Sequence, residues 1–376
     1  MVVTAISHPS RNRTGFTLIE LLLVIAIVSL LVAILLPGLA EARRTARQAL
    51  NVSNLKQFGI STQSYSSDFK DSIWTFSWVP GGSYNWVDTS GNLVPTPAFG
   101  FDRTGAFVPA AHQATSIIRA RAWTGFGNNA DHFANWIPYP SFSHLVVLDY
   151  LATKLPAAFA IAPEDRYRQS LADDPQAWIE NVWPNLDPQP PARFPYSSSY
   201  FVSMSAVMPD NEAPAIGGIR QGESQITYAP PNYTDEASTR RYPMGGRRLS
   251  EVGFPSQKVH MHEDVGRTNA RTEYFFTHPF AKTTNIMYDA SVRTEAAERM
   301  NLGGHAGPNR TSLVDAPIVY AASPNHGFGL WPDTSLPTRP GRQRWTAFGL
   351  KGIDVGGTDA FPPGFRANND RRTLKQ

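Results

Sequence analysis

Glu20 is the single charge in an otherwise apolar run of 21 residues, Phe16 to Leu36, broken elsewhere only by Thr17 and Ser29. A lone carboxylate inside a membrane-length apolar span costs on the order of 2.5–3.5 kcal/mol on insertion scales. Glu20 is therefore expected to have a partner. A second group of reactive types is His260-Met261-His262-Glu263-Asp264. On a strand, His260, His262 and Asp264 share one face, where imidazole and carboxylate can bind a divalent metal, with His278 as a further ligand. The alternative is a strand of polar side chains facing solvent or a loop. A third group, Asp354-Val355-Gly356-Gly357-Thr358-Asp359, offers oxygen ligands and glycines to calcium through Asp354 and Asp359. Its spacing is not that of an EF-hand, and most such segments are turns.

No catalytic constellation accompanies these groups. Adjacent carboxylates such as Asp173-Asp174 and Glu263-Asp264 do not converge on one substrate. The sequence contains no G-x-S-x-G, no P-loop and no H-E-x-x-H. An enzyme is not expected.

The elements that position Glu20 follow from the hydropathy pattern. About 20 apolar residues at 1.5 Å rise cross a hydrocarbon core of roughly 30 Å. Arg11 and Arg13 precede the span, which places the N-terminus in the cytoplasm, although Arg43, Arg44 and Arg47 follow it and compete. Pro37-Gly38 is expected to kink or loosen the helix. Beyond it, Leu55, Phe58, Thr62, Tyr65 and Phe69 recur at spacings of 3 and 4, one face of an amphipathic helix, with Ser61 and Ser66 largely off it. A helix from Phe16 to about Phe69 would be roughly 80 Å long. A long coiled coil is disfavoured, because the Arg-rich middle lacks sustained heptads.

Past Asp71 the pattern changes to strands and turns. Trp74, Phe76 and Trp78 alternate as in a strand. Residues 79–143, dense in Pro, Gly, Asn and aromatics, form a loop-rich insertion. His144 to Leu155 predicts a helix. Phe159 to Ile161, Tyr200 to Met208, Val259 to Met261 and Ser312 to Ala321 predict strands. Asn285 to Tyr288 and Ser291 to Arg293 flank a hairpin turn at Asp289-Ala290.

Composition bounds the partners. The chain has 376 residues, 34 basic and 31 acidic, with no cysteine. Disulfides, thiolate metal sites and a cysteine nucleophile are excluded. The charges are nearly balanced and no basic patch stands out, so nucleic acid is not an indicated partner. Nine Trp, 13 Tyr and 21 Phe supply a sizeable core.

Gly15-Phe16-Thr17-Leu18-Ile19-Glu20, followed by Pro37, resembles the processing site of type IV pilins and type II secretion pseudopilins. The resemblance covers about residues 11–70. It implies an α+β pilin-like fold: a long N-terminal α-helix, its first half spanning the membrane, packed on an antiparallel β-sheet with loop-rich insertions. It implies a leader at 1–15, a transmembrane or fibre-core segment at 16–36, an amphipathic continuation at 37–70 and an exported β-rich domain at 71–376. Prepilin peptidase would cut after Gly15 and methylate the new N-terminus at Phe16. Glu20, one helical turn on, would pair with a neighbour's amine as identical or related subunits assemble, and Pro37 would complete the assembly helix.

The same resemblance places the precursor in the bacterial inner membrane as a single-pass protein. The assembled form would be a periplasmic or cell-surface filament. No cofactor is expected; calcium is the one that the resemblance to pseudopilins would suggest. The function implied is a structural filament subunit; a minor tip subunit or an anchored glycan-binding module, using Trp74, Trp86, Trp123 or Trp136, is the alternative. Four further landmarks are similar to those of long pilin-like proteins: Phe159 to Asp165, Ser199-Tyr200, Pro255 to Val259, and His278 followed by Asn285 to Arg293. The chain departs from them at Ala162, where cysteine is frequent, and at Ala290, where a hairpin turn calls for glycine.

Overall fold

The computed structural model describes residues 17–76, 141–151, 154–178, 194–207, 245–267, 273–278, 280–301 and 349–356, with short pieces between them. Two compact units are present, Met1–Arg47 and Gln48–Gln376.

In the first unit the described residues from Leu18 onward are helical. The helix α1, Leu18–Asp68, begins here and continues through Pro37 into the second unit. A proline inside a helix removes one backbone hydrogen bond, yet the helical run is unbroken. Every residue from Leu18 to Leu36 is exposed. It is a helix long and apolar enough to cross a membrane.

In the second unit, the part of α1 after Arg47 packs on an antiparallel sheet. Its strands are β1 (Tyr200–Val202), β2 (Val259–Glu263), β3 (Lys282–Met287) and β4 (Val292–Ala296), in spatial order β4-β3-β2-β1. The buried helix residues are Asn51, Leu55, Phe58, Gly59, Ser61, Thr62 and Ser66. The expected face is present but shifted: Phe69 is half exposed and stacks on Tyr65 at 4.4 Å, while Ser61 and Ser66 are buried. Both serines are short enough to turn inward, and Ser61 satisfies its hydroxyl on the Gln57 carbonyl. Phe58 sits at the centre, with ring centroids 5.1 Å from Phe159 and 5.9 Å from Tyr200. The α+β arrangement expected from the sequence is the one observed.

The helix stops at Asp68 because Lys70 and Asp71 take left-handed φ values of 52° and 67°. The Asp71 amide then donates to the Ser66 carbonyl, and its carboxylate accepts from the Ser250 amide at 3.0 Å. Residues Ile73 to Phe76 are not a strand, contrary to the alternation read there; Ile73 instead donates to the Arg247 carbonyl, and Trp74 is buried against the helix. Phe159 is likewise in a 3₁₀ turn (Ala158–Ala160), not a strand, and β1 ends at Val202 before another such turn. His144 lies in a 3₁₀ turn that leads into the four-residue helix Leu148–Leu151, less than the predicted run. The β3–β4 hairpin forms as predicted, and Ala290 takes the positive φ, 63°, that its turn demands.

A second sheet joins Thr338–Pro340, Pro317–Ala321, Ala215–Arg220 and Ile226–Ala229 and includes one parallel pair. Within the predicted insertion, Asn85–Val87 pairs with Leu93–Pro95; most of the remainder lies outside the described residues.

Gly59 lets the helix approach the hairpin. A Cβ there would lie 2.6 Å from Ile286 Cδ1 and 2.9 Å from Ala290 Cβ. Gly59→Val is expected to lower stability by about 1–3 kcal/mol through overpacking, read as a lower denaturant midpoint with the unfolding slope unchanged.

Candidate functional site

The N-terminal site is built on the first turn of α1. The Thr17 amide donates to Glu20 Oε2 at 2.9 Å, and the Thr17 hydroxyl to the same oxygen at 2.8 Å. In return the Glu20 amide donates to Thr17 Oγ1 at 3.3 Å. This is a reciprocal capping box, which satisfies helix-end donors that otherwise have no partner. The T-x-x-E spacing is its sequence signature. Thr17 was not singled out above, although that spacing marks it. Both bonds to the carboxylate use Oε2; Oε1 takes none among the described residues. Pro37 lies in the helix interior. Gly15 and Phe16 lie outside the described residues.

The metal candidates are separated by a bulge. The β2–β3 register shifts between Val259 and Met261, so a strict two-residue alternation fails at His260. His260 packs between Trp74 and Tyr288, with ring centroids at 5.2 and 4.7 Å, and its Nδ1 lies 3.5 Å from Thr62 Oγ1. His262 instead stacks near Phe276 and Phe201 and places Nδ1 2.7 Å from the Glu263 carbonyl. Asp264 is ion-paired with Arg168 at 2.8 Å and Arg267 at 2.9 Å. His278 stacks on Tyr274 at 4.3 Å, and its Nδ1 accepts from the Phe280 amide. Asp354 is ion-paired with Lys258. Asp359 lies outside the described residues. Among the described residues no group of three or more His, Asp or Glu side chains is arranged to hold a metal ion.

Residues of the sequence landmarks form a buried polar scaffold instead. Asp165 accepts from Arg168 at 2.6 Å, from Arg267 at 3.0 Å and from Ser199 at 2.7 Å. Burial alone would push its carboxyl up; the Arg267 and Arg168 guanidiniums prevail and hold it at about 2. Nearer the helix, Asn51 Nδ2 donates to Glu263 Oε1 at 2.8 Å, and Asn51 Oδ1 accepts from the Tyr200 hydroxyl at 2.5 Å. The Thr284 amide donates to Glu263 Oε2 at 2.7 Å. One carboxylate therefore ties α1 to β1, β2 and β3. Sequence reasoning missed it because these partners are 21 to 233 residues apart along the chain.

Comparison with known proteins bears on the N-terminal site. The family model for the prokaryotic N-terminal methylation motif matches residues 10–36. The type IV wide pilus major component PilA4 of Thermus thermophilus is 42% identical over 65 residues. The chain is type IV pilin-like at its N-terminus. That alignment takes in 15% of this chain and 50% of the relative, so the chain spans about half the length of the curated relative it matches. No solved structure matches it.

The buried groups predict opposing pH limbs. Burial raises the Glu263 carboxyl to about 7, so this group's contribution is full below its unfolded value and is lost as pH rises through about 7. Burial lowers His144 and His260 to about 3, so theirs is full above 6.5 and is lost as pH falls toward 3. Glu263→Gln should remove only the first limb. Relative to Glu263→Gln, the parent chain should lose about 2–3 kcal/mol between pH 5 and 8, measured by urea unfolding. Parallel stability curves for the two proteins would contradict this assignment.

Proposed function

We propose that this pilin-like chain is a structural subunit of a type IV pilus-like or type II secretion pseudopilus filament. One observation carries the reading. The methylation motif covers residues 10–36, and the helix that begins inside it presents an apolar surface from Leu18 to Leu36 with Glu20 as its single carboxylate.

The proposed sequence of events follows from the chemistry of the site. Prepilin peptidase cleaves after Gly15 and methylates the amine of Phe16. The precursor sits in the bacterial inner membrane through residues 16–36, with residues 71–376 outside the cytoplasm. Assembly with identical or related subunits buries the apolar helix, which removes its surface from lipid. A charge can enter that surroundings only if it is neutralised. Glu20 supplies the neutralising group: Oε2 stays with Thr17, and Oε1 accepts the neighbour's amine. The pairing fixes axial register between subunits. The filament then lies in the periplasm or at the cell surface.

A minor tip subunit that binds an external polymer is the second reading, and a specific observation favours it. Phe280 is 71% exposed beside Tyr274 and His278, with ring centroids at 6.0 and 5.3 Å. Aromatic faces of this kind stack on sugars. Trp74 no longer contributes to that reading, since it is buried and donates to Thr62 Oγ1 at 2.8 Å.

Glu20→Ala distinguishes filament assembly from simple anchoring. The expected result is normal removal of the leader with incorporation into sheared filaments reduced at least about tenfold, the loss of roughly 1.4 kcal/mol or more per pairing. Normal incorporation of the variant would overturn the role of Glu20. Binding of the full chain to a glycan array, lost in Phe280→Ala with filament incorporation intact, would support the tip reading.

A further inference from the structure

Lys258 lies just before β2 and is completely buried. Its ammonium is 3.1 Å from Asp354 Oδ2, and the Asp354 carboxylate is also buried. The Thr346 hydroxyl stands between them: it accepts from Lys258 Nζ and donates to Asp354 Oδ1 at 2.5 Å. The Val259 amide donates to Oδ2 at 2.9 Å. Asp354 is carried by a C-terminal segment held along the neighbouring chain: the Asp354 and Val355 amides donate to the Gln257 carbonyl, and the Asn301 amide donates to the Asp354 carbonyl. The segment also buries Val355 against Val259, Met287 and Met300. Both reacting side chains are therefore fixed from several directions, and bulk water is excluded.

We propose that Lys258 and Asp354 are joined by an intramolecular amide bond that the folded chain forms for itself, with Thr346 relaying the proton.

A buried lysine and carboxylate without water are costly as ions. Burial pushes the Lys258 amine down and the Asp354 carboxyl up, and each is only partly restored by the other. Both shifts favour the uncharged forms, a neutral amine and a carboxylic acid, which are the forms that condense. Among the described residues Asp354 is the carboxylate within ion-pair distance of Lys258; Asp210, the other acid whose field reaches it, is engaged by Arg247 at 2.7 Å. The balance is closed. A proton passes from Nζ to the carboxylate, the nitrogen lone pair attacks Cγ, and the N–Cγ bond forms. One Cγ–O bond then breaks. Of the three ammonium protons, one stays on the amide nitrogen and two leave with the oxygen as water. The charges cancel, and no oxidant or activated donor is needed. An amine held against its electrophile in a fixed pocket gains the large effective molarity of an intramolecular reaction. The Val259 amide and the Thr346 hydroxyl are placed to stabilise charge developing on the two carboxylate oxygens. The product ties the C-terminal segment to the sheet that carries α1.

The test is mass spectrometry on the purified full chain in detergent, with trypsin digestion after denaturation. The expected result is a mass one water lower than that of Lys258→Arg, after correction for the substitution. A branched peptide should join Leu249–Arg267, uncut at Lys258, to Gly352–Arg366. Lys258→Arg keeps the ion pair but cannot form this bond, so it should give only linear peptides. Thr346→Val should fold but contain mostly the unlinked form. Full-mass parent chain with trypsin cleavage at Lys258 would overturn the proposal, and so would water loss mapped to any other pair. Complete linkage in Thr346→Val would overturn the relay.

Discussion

The second unit depends on one buried carboxylate. Glu263 accepts from Asn51 on the helix and from the Thr284 amide on the adjacent strand, Asn51 also donates to the Thr284 hydroxyl, and Tyr200 joins by donating to Asn51. Charged groups are almost never fully buried without such partners, because removing them from water costs more than apolar packing returns. The network therefore specifies where the helix meets the sheet. An offset of one helical turn would leave Asn51, Tyr200 and Glu263 unpaired together. Apolar contacts around Phe58 supply stabilisation but tolerate sliding; the polar contacts do not.

Close packing follows from that placement. With Asn51 held, Gly59 comes two turns later against Ile286 and the Ala290 turn, where no larger side chain fits. Thr62 then meets Trp74 and His260. The imidazole that looked like a metal ligand in the sequence is thus part of an aromatic core, neutral because it is dry. Asp165, Arg168, Asp264 and Arg267 neutralise one another in a second buried network. Asp264, just past the end of β2, belongs to that scaffold.

The first unit obeys a different constraint. Among the described residues its helix has no apolar partner from Leu18 to Leu36; on the proposed reading lipid or other subunits supply one. The capping box gives Glu20 a local role beside its proposed assembly role. It closes the first turn of the helix through one oxygen and leaves the other for a partner. A residue that terminates its own helix is held in a defined rotamer, which lowers the entropy lost on pairing.

The helix, its apolar half, the N-terminal motif and the β3–β4 hairpin were all legible in the sequence, because each is a local pattern: a run, a period, a fixed spacing. Even the capping box was written there as T-x-x-E. What the tertiary structure decided was which polar residues lie inside. Asn51, Tyr200, Glu263 and Thr284 carry no shared local signal, and neither do Lys258, Thr346 and Asp354. The alternation that grouped His260 with His262 failed at a bulge, which depends on the neighbouring strand. Phe159 and Trp74 read as strand residues, yet Phe159 lies in a 3₁₀ turn and Trp74 follows Ile73, whose amide donates to the Arg247 carbonyl, since burial rewards an aromatic side chain regardless of local conformation. Periodicity is set by the geometry of one segment. Burial of a charge is set by partners up to 233 residues away, and only the folded chain brings them together.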